Sequence, residues 1–304
     1  MSREDRSDVA GNLAVAYGKR TGATKVPYPI LLREVEVVRT VAVGPSLVRL
    51  TLGGPGLAGF HSHCEEEHVR LVFPGTDGVL RLPEPDGDML NWPRPRPVSR
   101  EYTVRRHDPE QGELDIDLVL HDGGLAADWV RTVAKGERIH VAGPPGGLAI
   151  PRGYDRYLLA GDLTALPAIA RILERLPDDA RGWAFVEVAD ATEELPLTAP
   201  EGIEIRWVHR GGEQAGYSAV LERAVTAVRP PADARVFAWV AGEATSIKPV
   251  RRWLRDELGL GPEDRDVTGY WKRGVADFDD HGDDDHEHDH GEHDHEGHGH
   301  GHGH

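Results

Sequence analysis

Arg100-Glu101-Tyr102-Thr103, followed eighteen residues later by His121, is the stretch whose reading decides how this chain folds. Side chains two apart on a strand point to one face, so Arg100 and Tyr102 project together and Glu101 and Thr103 project oppositely. Thr103 can still act through its backbone. Downstream, residues 113–121 (ELDIDLVLH) alternate polar and apolar before turning fully apolar, as a strand does that enters a core and leaves it at His121. Asp122-Gly123-Gly124 then makes a turn. Residues 125–134 have helical spacing, with Leu125, Trp129 and Val133 on one face and Gly136 beyond the end, so a helix starts directly after the glycines. Residues 137–146 read as a closing strand and a sharp turn.

The chemistry of this stretch follows from its residue types. An arginine, a phenol and a hydroxyl on one short strand can hold a phosphate and the edge of an aromatic ring. Free amides at a helix N-terminus bind pyrophosphate through unpaired donors and the helix dipole. Ring seat, phosphate arginine and pyrophosphate helix are the parts that a flavin dinucleotide requires. Taken alone, Arg100 and Tyr102 would better suit a salt bridge and a buried ring on a barrel strand; the motifs around them favour flavin.

Working outward, residues 32–38, 46–52 and 69–73 are strand-like and are punctuated by Gly53-Gly54-Pro55, which indicates an antiparallel barrel. Residues 91–100 (NWPRPRPVSR) form an extended lead-in, because proline withholds backbone donors at three places. Between strands lies His61-Ser62-His63-Cys64-Glu65-Glu66-Glu67-His68, whose histidine spacing invites a metal reading. The three glutamates in a charged setting fit a solvated loop better, since metal sites require convergent ligands and a second shell. Residues 1–27 are Arg-, Asp- and Gly-rich with weak periodicity and read as a loosely ordered arm.

Beyond Pro151 the character changes. Short apolar runs at 157–161, 184–188, 203–207 and 236–240 alternate with helical stretches at 164–176, 218–228 and 246–258, which argues a parallel sheet. Ligands of such sheets bind beyond the carboxyl ends of the strands, where Gly161-Asp162, residues 187–190 and Gly242-Glu243 fall. No Gly-x-Gly-x-x-Gly fingerprint is present. Arg206, His209 and Arg210 suit a 2′-phosphate, whereas Glu187 and Asp190 suit a ribose diol. NADPH and NADH both stay open, with a lean to NADPH.

At 304 residues the chain is long enough for two domains with separate cores. Its single cysteine, Cys64, excludes an internal disulfide framework and suits a reducing cytosol. Residues 1–25 lack the apolar segment of a secretory signal, and no run approaches a membrane span, so a cytoplasmic protein is expected. The net charge of −17 is unevenly spread: residues 276–304 hold eleven acids and no Lys or Arg, leaving −6 on the rest. That body shows no basic stripe for nucleic acid, and its acidity disfavours anionic membranes. Nothing in the sequence indicates an oligomeric state.

Arg100-x-Tyr102-Thr103-x-Arg105, residues 117–121, Trp129 and Gly143-Pro144-x-Gly146 together resemble the siderophore-interacting proteins, a flavin-binding branch of the ferredoxin-reductase superfamily. The likeness extends to residues 68–74, to residues 160–169 with Asp162 and Thr164, to Gly242-Glu243-Ala244 and to residues 269–274. It implies an antiparallel Greek-key β-barrel that binds FAD, joined to an α/β parallel-sheet domain that binds NAD(P)H. The expected divisions are an arm at 1–27, the FAD domain at 28–151, the nucleotide domain at 152–275 and a tail at 276–304. The cofactor-binding residues implied are Arg100, Tyr102, Thr103, Asp117, His121, Gly124, Ala126, Trp129, Asp162, Thr164, Gly242, Glu243 and Trp271. Arg70, Lys272 and Arg273 are implied to meet an anionic ferric siderophore. Leu163 stands where family members often carry an acid. The implied activity is ferric-siderophore reduction. Its alternatives are a flavin reductase with another acceptor and a metal-binding or delivery protein.

The tail supports the last of these. His281, His286, His288, His290, His293, His295, His298, His300, His302 and His304 alternate with acids and glycines. That composition cannot form a core and is expected to be disordered. Its imidazoles suit nickel, zinc, cobalt or copper with poor selectivity. Interleaved acids distinguish it from the uninterrupted histidines of a purification tag.

Overall fold

The computed structural model describes residues 5–276 and residue 278; the tail histidines named above lie outside the described residues. In chain order the first half holds α1 (Val9–Gly18), β1 (Thr24–Pro27), β2 (Leu32–Gly44), β3 (Leu47–Gly53), β4 (Glu66–Val72), β5 (Glu84–Asp86), β6 (Met89–Asn91), β7 (Ser99–Thr103), β8 (Arg106–Asp108), β9 (Glu113–Val119), α2 (Leu125–Thr132), β10 (Arg138–Ala142) and β11 (Gly146–Ala149). The second half holds β12 (Arg156–Asp162), α3 (Leu166–Arg175), β13 (Arg181–Val188), β14 (Gly202–His209), α4 (Val220–Thr226), β15 (Val236–Glu243), α5 (Lys248–Asp256) and β16 (Arg265–Trp271).

The first sheet is antiparallel and runs β4-β10-β2-β3-β9-β8, with β7 on the other side of β4. Residues 99–108 pair with β4 at their start and with β9 at their end, and Arg105 N donates to Asp115 O at 2.9 Å, so the sheet closes on itself. Neighbours in this order are mostly not neighbours in the chain, as a Greek-key barrel requires. Alternate residues of β3, β4 and β9 (Leu50, Leu52, Val69, Leu71, Leu114, Ile116, Leu118) fill the interior. Period-two patterning therefore places their apolar faces inward.

The second sheet is parallel, in the order β14-β13-β12-β15-β16. Both of its faces are covered, by α3 on one side and by α4 and α5 on the other. This explains why β12 and β15 read as unbroken apolar runs, with no alternation. Among the described residues no helix is long and apolar enough to cross a membrane.

Two expectations are corrected here. Far from being a loose arm, the first 27 residues contain α1, capped by Asp8 accepting from Gly11 N at 2.9 Å, and β1, which pairs with β11. Val9, Leu13, Ala16 and Tyr17 cover Val26, Tyr28, Cys64 and Ala149, a small cluster that only the folded barrel provides. Nor do the glutamates of residues 65–67 form a solvated loop. Glu65 and Glu67 are buried, Glu65 accepting from Tyr17 Oη at 2.6 Å and from Ile150 N at 3.2 Å. Both carboxylates have protein donors, which makes their burial tolerable. Among the described residues no group of three or more His, Cys, Asp or Glu converges as a metal site.

Candidate active site

The register of β7 against β4 decides which side chains share a face. Tyr102 stands opposite Val69 and Arg100 opposite Leu71, whereas Thr103 faces His68 and Glu101 faces Arg70. Directly opposed residues on an antiparallel ladder are neighbours on one face. The split expected from the sequence is therefore present. Tyr102 is half-buried against the barrel core, and that burial raises its phenol above the ordinary range, keeping the ring neutral. Arg100 Nη1 donates to Ser99 O at 2.7 Å.

β9 ends just before His121, and the turn that follows delivers α2. Gly124 is the N-cap and offers no side chain to the first-turn amides. Those donors are left for an anion. A Cβ at Gly124 would lie 2.4–3.0 Å from the His121 ring, so the ring rests where any other residue would place a side chain. The Ala126 side chain is buried, which leaves its backbone as the group it can offer. Trp129 packs edge-on against Phe73, with ring centroids 5.5 Å apart, and ties α2 to the barrel. A neutral ring surface, an arginine and an uncapped helix start fit a flavin dinucleotide by the chemistry of their donors. Asp117 is buried on the face of β9 opposite Ile116 and Leu118, and its carboxylate accepts from Arg49 at 2.7 and 2.9 Å.

At the carboxyl ends of the parallel strands, Asp162 is the organising group. Its Oδ1 accepts from Thr164 N at 2.9 Å and Thr164 Oγ1 at 2.5 Å. Its Oδ2 accepts from Glu243 N at 3.0 Å and Trp271 Nε1 at 2.8 Å. One carboxylate thus joins the ends of β12, β15 and β16. Gly242 is required beside it, since a Cβ there would stand 2.9 Å from Asp162 Oδ2. Glu243 is buried and accepts from Thr245 N, Ser246 N and Ser246 Oγ at 2.7–2.9 Å. A crevice follows, lined by Asp162, Glu187, Gly216, Ser218, Gly242 and Ser246. Burial, and then the nearby Asp162 charge, push the Glu187 carboxyl up to about 7.

The two halves meet at Tyr270. Its hydroxyl reaches Glu66 Oε1 at 3.5 Å and also engages Thr103. His68 lies beside them, 3.8 Å from Glu66 and 3.9 Å from Glu101. Burial works against the imidazolium, but the Glu66 hydrogen bond and the Glu101 and Glu66 charges outweigh it and raise its pKa.

The residues expected to meet a substrate are divided by the structure. Arg70 is held by Glu101 and by Ser99 Oγ, the latter at 3.1 Å, on the same junction face as His68. Lys272 is exposed, with its Nζ 5.9 Å from the Phe278 ring centroid. Arg273 turns instead to the nucleotide half, 3.4 Å from Glu243 and stacked on Tyr217 at 4.3 Å. Trp271 likewise serves Asp162. Register decides this, because Trp271 pairs with Glu243 at the end of the sheet.

Residues 36–148 match the model of the siderophore-interacting FAD-binding domain, and residues 154–274 that of the siderophore-interacting protein. Ferric vibriobactin reductase ViuB of Vibrio cholerae is 37% identical over 81% of this chain and 90% of its own length. The chain belongs to the siderophore-interacting protein family. A second relative, the NADPH-dependent ferric-chelate reductase of Escherichia coli, is 32% identical over 81% of this chain and 95% of its own. The crystal structure of a siderophore utilization protein from T. fusca superposes with a TM-score of 0.80 at 43% identity, covering 86% of this chain and all of that one. For a siderophore-interacting protein, the residues that sequence reasoning missed are Ser218 and Ser246 in the crevice and Tyr270 at the junction. Ser218 and Ser246 carried a signal, since each opens a helical stretch of the kind a polar side chain caps.

Proposed function

We propose that this protein is an FAD-dependent ferric-siderophore reductase, which passes electrons from NAD(P)H to chelated Fe(III) and releases Fe(II). The observation that carries this reading is the contact of Tyr270 with Glu66 and Thr103, which sets the ends of the nucleotide sheet against the strand bearing Tyr102. The relatives named ferric reductases support the same activity. Bound FAD supplies the conversion of a two-electron donor into single-electron deliveries.

The chain's own residues orient and enclose. Tyr102 offers the ring surface, while Arg100 and the first-turn amides of α2 hold phosphate charge. Asp162 fixes Thr164 and Trp271 where a nicotinamide would enter. His68, whose imidazolium form is favoured by Glu66 and Glu101, joins Arg70 and Lys272 in offering positive charge to an anionic chelate. No side-chain nucleophile is required. By composition, the tail histidines take a divalent transition metal such as nickel, zinc, cobalt or copper. The protein is assigned to the cytoplasm, where its one thiol, Cys64, stays reduced.

The test is the absorption spectrum of the purified protein under anaerobic conditions, followed through addition of NADPH, then NADH, then a ferric siderophore. A flavin spectrum bleached by nucleotide and restored by chelate is expected. Faster turnover of dyes than of any ferric chelate would assign another acceptor, and a colourless protein that FAD cannot reconstitute would overturn the reading.

A further inference from the structure

Glu66, His68 and Arg70 alternate along β4, and the period of two sets them in a row on one face of the strand. Glu101 and Thr103 of β7 stand opposite Arg70 and His68 and complete that face. Its middle is an imidazole between two carboxylates. His68 Nδ1 lies 3.8 Å from Glu66 Oε1, and its Nε2 lies 3.9 Å from Glu101 Oε1. Tyr270 of β16 closes over Glu66, while Lys25 of β1 and Arg171 of α3 act on Glu66 through their charges. Partial burial and the charge of Arg70 oppose a proton on His68, but the Glu66 hydrogen bond and the two carboxylate charges outweigh them. The side chain keeps 37% of its surface exposed, so a proton given up there can be replaced from water.

The reductase reading gives this proton a use. Hydroxamate and catecholate oxygens hold Fe(III) in deprotonated form, so a chelate that lets go of its metal takes up protons. Arginine and lysine side chains keep theirs near neutral pH. The Tyr270 phenol is pushed well above its ordinary range, by burial and then by Glu66. Imidazole is the side chain that both holds and yields a proton in this range.

We propose that His68 is the proton donor for release of the siderophore. As one electron reduces the chelated Fe(III) to Fe(II), an Fe–O bond breaks, an N–H bond of the imidazolium breaks and an O–H bond forms on the departing ligand oxygen. The neutral imidazole then regains a proton from water. Glu66 and Glu101 are positioning residues that favour the charged ring between turnovers. The inference rests on the reductase reading and adds the proton that its electron step calls for.

The experiment is stopped-flow reoxidation of the full-length, FAD-loaded protein, reduced anaerobically with dithionite, by a ferric trihydroxamate and by ferricyanide, for the native chain, His68→Gln and His68→Ala. Ferricyanide keeps its ligands on reduction and needs no proton, yet it is an anion like the chelate. Both variants are expected to slow the trihydroxamate reaction roughly a hundredfold at about pH 7 while the ferricyanide reaction changes by less than about threefold, which also shows that each variant is folded. The native trihydroxamate rate should fall as pH rises above the ordinary histidine range, where the imidazolium is lost, and added imidazole should recover part of the His68→Ala rate. Equal slowing with both acceptors would leave His68 a charge or a structural group only, and an unchanged trihydroxamate rate would likewise overturn the assignment. Failure of the reductase reading would show separately, as native reduced flavin that ferricyanide reoxidises and no ferric siderophore does.

Discussion

Glu67 on β4 and Arg171 on α3 form a buried ion pair, 2.7 Å apart, that bolts the barrel to the nucleotide sheet. Arg171 also donates to Val104 O and to Ser62 Oγ, both at 2.6 Å, while Glu67 accepts from His63 N at 2.6 Å and Cys64 N at 2.9 Å. Val104 directly follows Thr103, and α3 begins just after Thr164. The pair therefore holds the flavin strand and the nicotinamide turn in one frame.

Arg171→Met should cost about 3–5 kcal/mol, because Glu67 would be left as a buried charge without its partner. Glu67→Gln in the same chain should recover much of that loss, a comparison that denaturant unfolding can make. In the folded fraction, flavin reduction by NADPH should slow, whereas reduction by dithionite, which needs no nicotinamide turn, should not. Equal slowing by both reductants would count against a positioning role.

Asp162→Asn keeps the shape but replaces one acceptor oxygen with an NH2 donor that must face other donors. Either Thr164 or the Glu243–Trp271 side then loses its hydrogen bonds, at a cost of about 1–3 kcal/mol. The expected result is roughly a tenfold or greater fall in kcat/KM for the nucleotide with FAD content retained. Tryptophan fluorescence should shift as Trp271 Nε1 is released.

The Glu187 carboxyl, pushed up to about 7 by burial and by Asp162, sets a pH window for stability. The folded state holds this proton between the ordinary carboxylate range and pH 7, and the unfolded state does not, so stability falls as pH rises through that window. Glu187→Gln should match the native chain near pH 5 and exceed it near pH 8 by roughly 2 kcal/mol, since each tenfold difference in proton affinity between the two states is worth about 1.4 kcal/mol. Thermal melts at the two pH values decide it; a difference that does not grow with pH would refute this role for Glu187.

Removing residues 279–304 should leave ferric-chelate reduction intact while abolishing retention on immobilised nickel. Imidazole must be deprotonated to bind metal, so the native chain's retention should fall steeply below about pH 6. Loss of reductase activity on truncation would make the tail part of the catalytic unit.

Local pattern made much of the site legible. Strand periodicity placed Arg100 and Tyr102 together, glycines marked the α2 start, and alternating runs marked the parallel sheet, since each signal lies within a few residues. The pairing of Asp117 with Arg49 was not legible, because the two lie 68 residues apart in the chain. Arg171 left a trace, a lone charge within the apolar helix run of residues 166–173, yet its partner lies more than a hundred residues away. The order of α1 was invisible because weak periodicity becomes a helix only when Val26 and Ala149 are present to be covered.

By itself, then, the sequence determined the barrel, the parallel sheet and the residues of the flavin strand, because backbone geometry ties side-chain direction to spacing. The tertiary structure alone decided how the charges pair: Glu101 holds Arg70, Glu243 draws in Arg273, and Asp162 becomes a hub. Pairing between charges depends on distance in space, and chain order does not encode it.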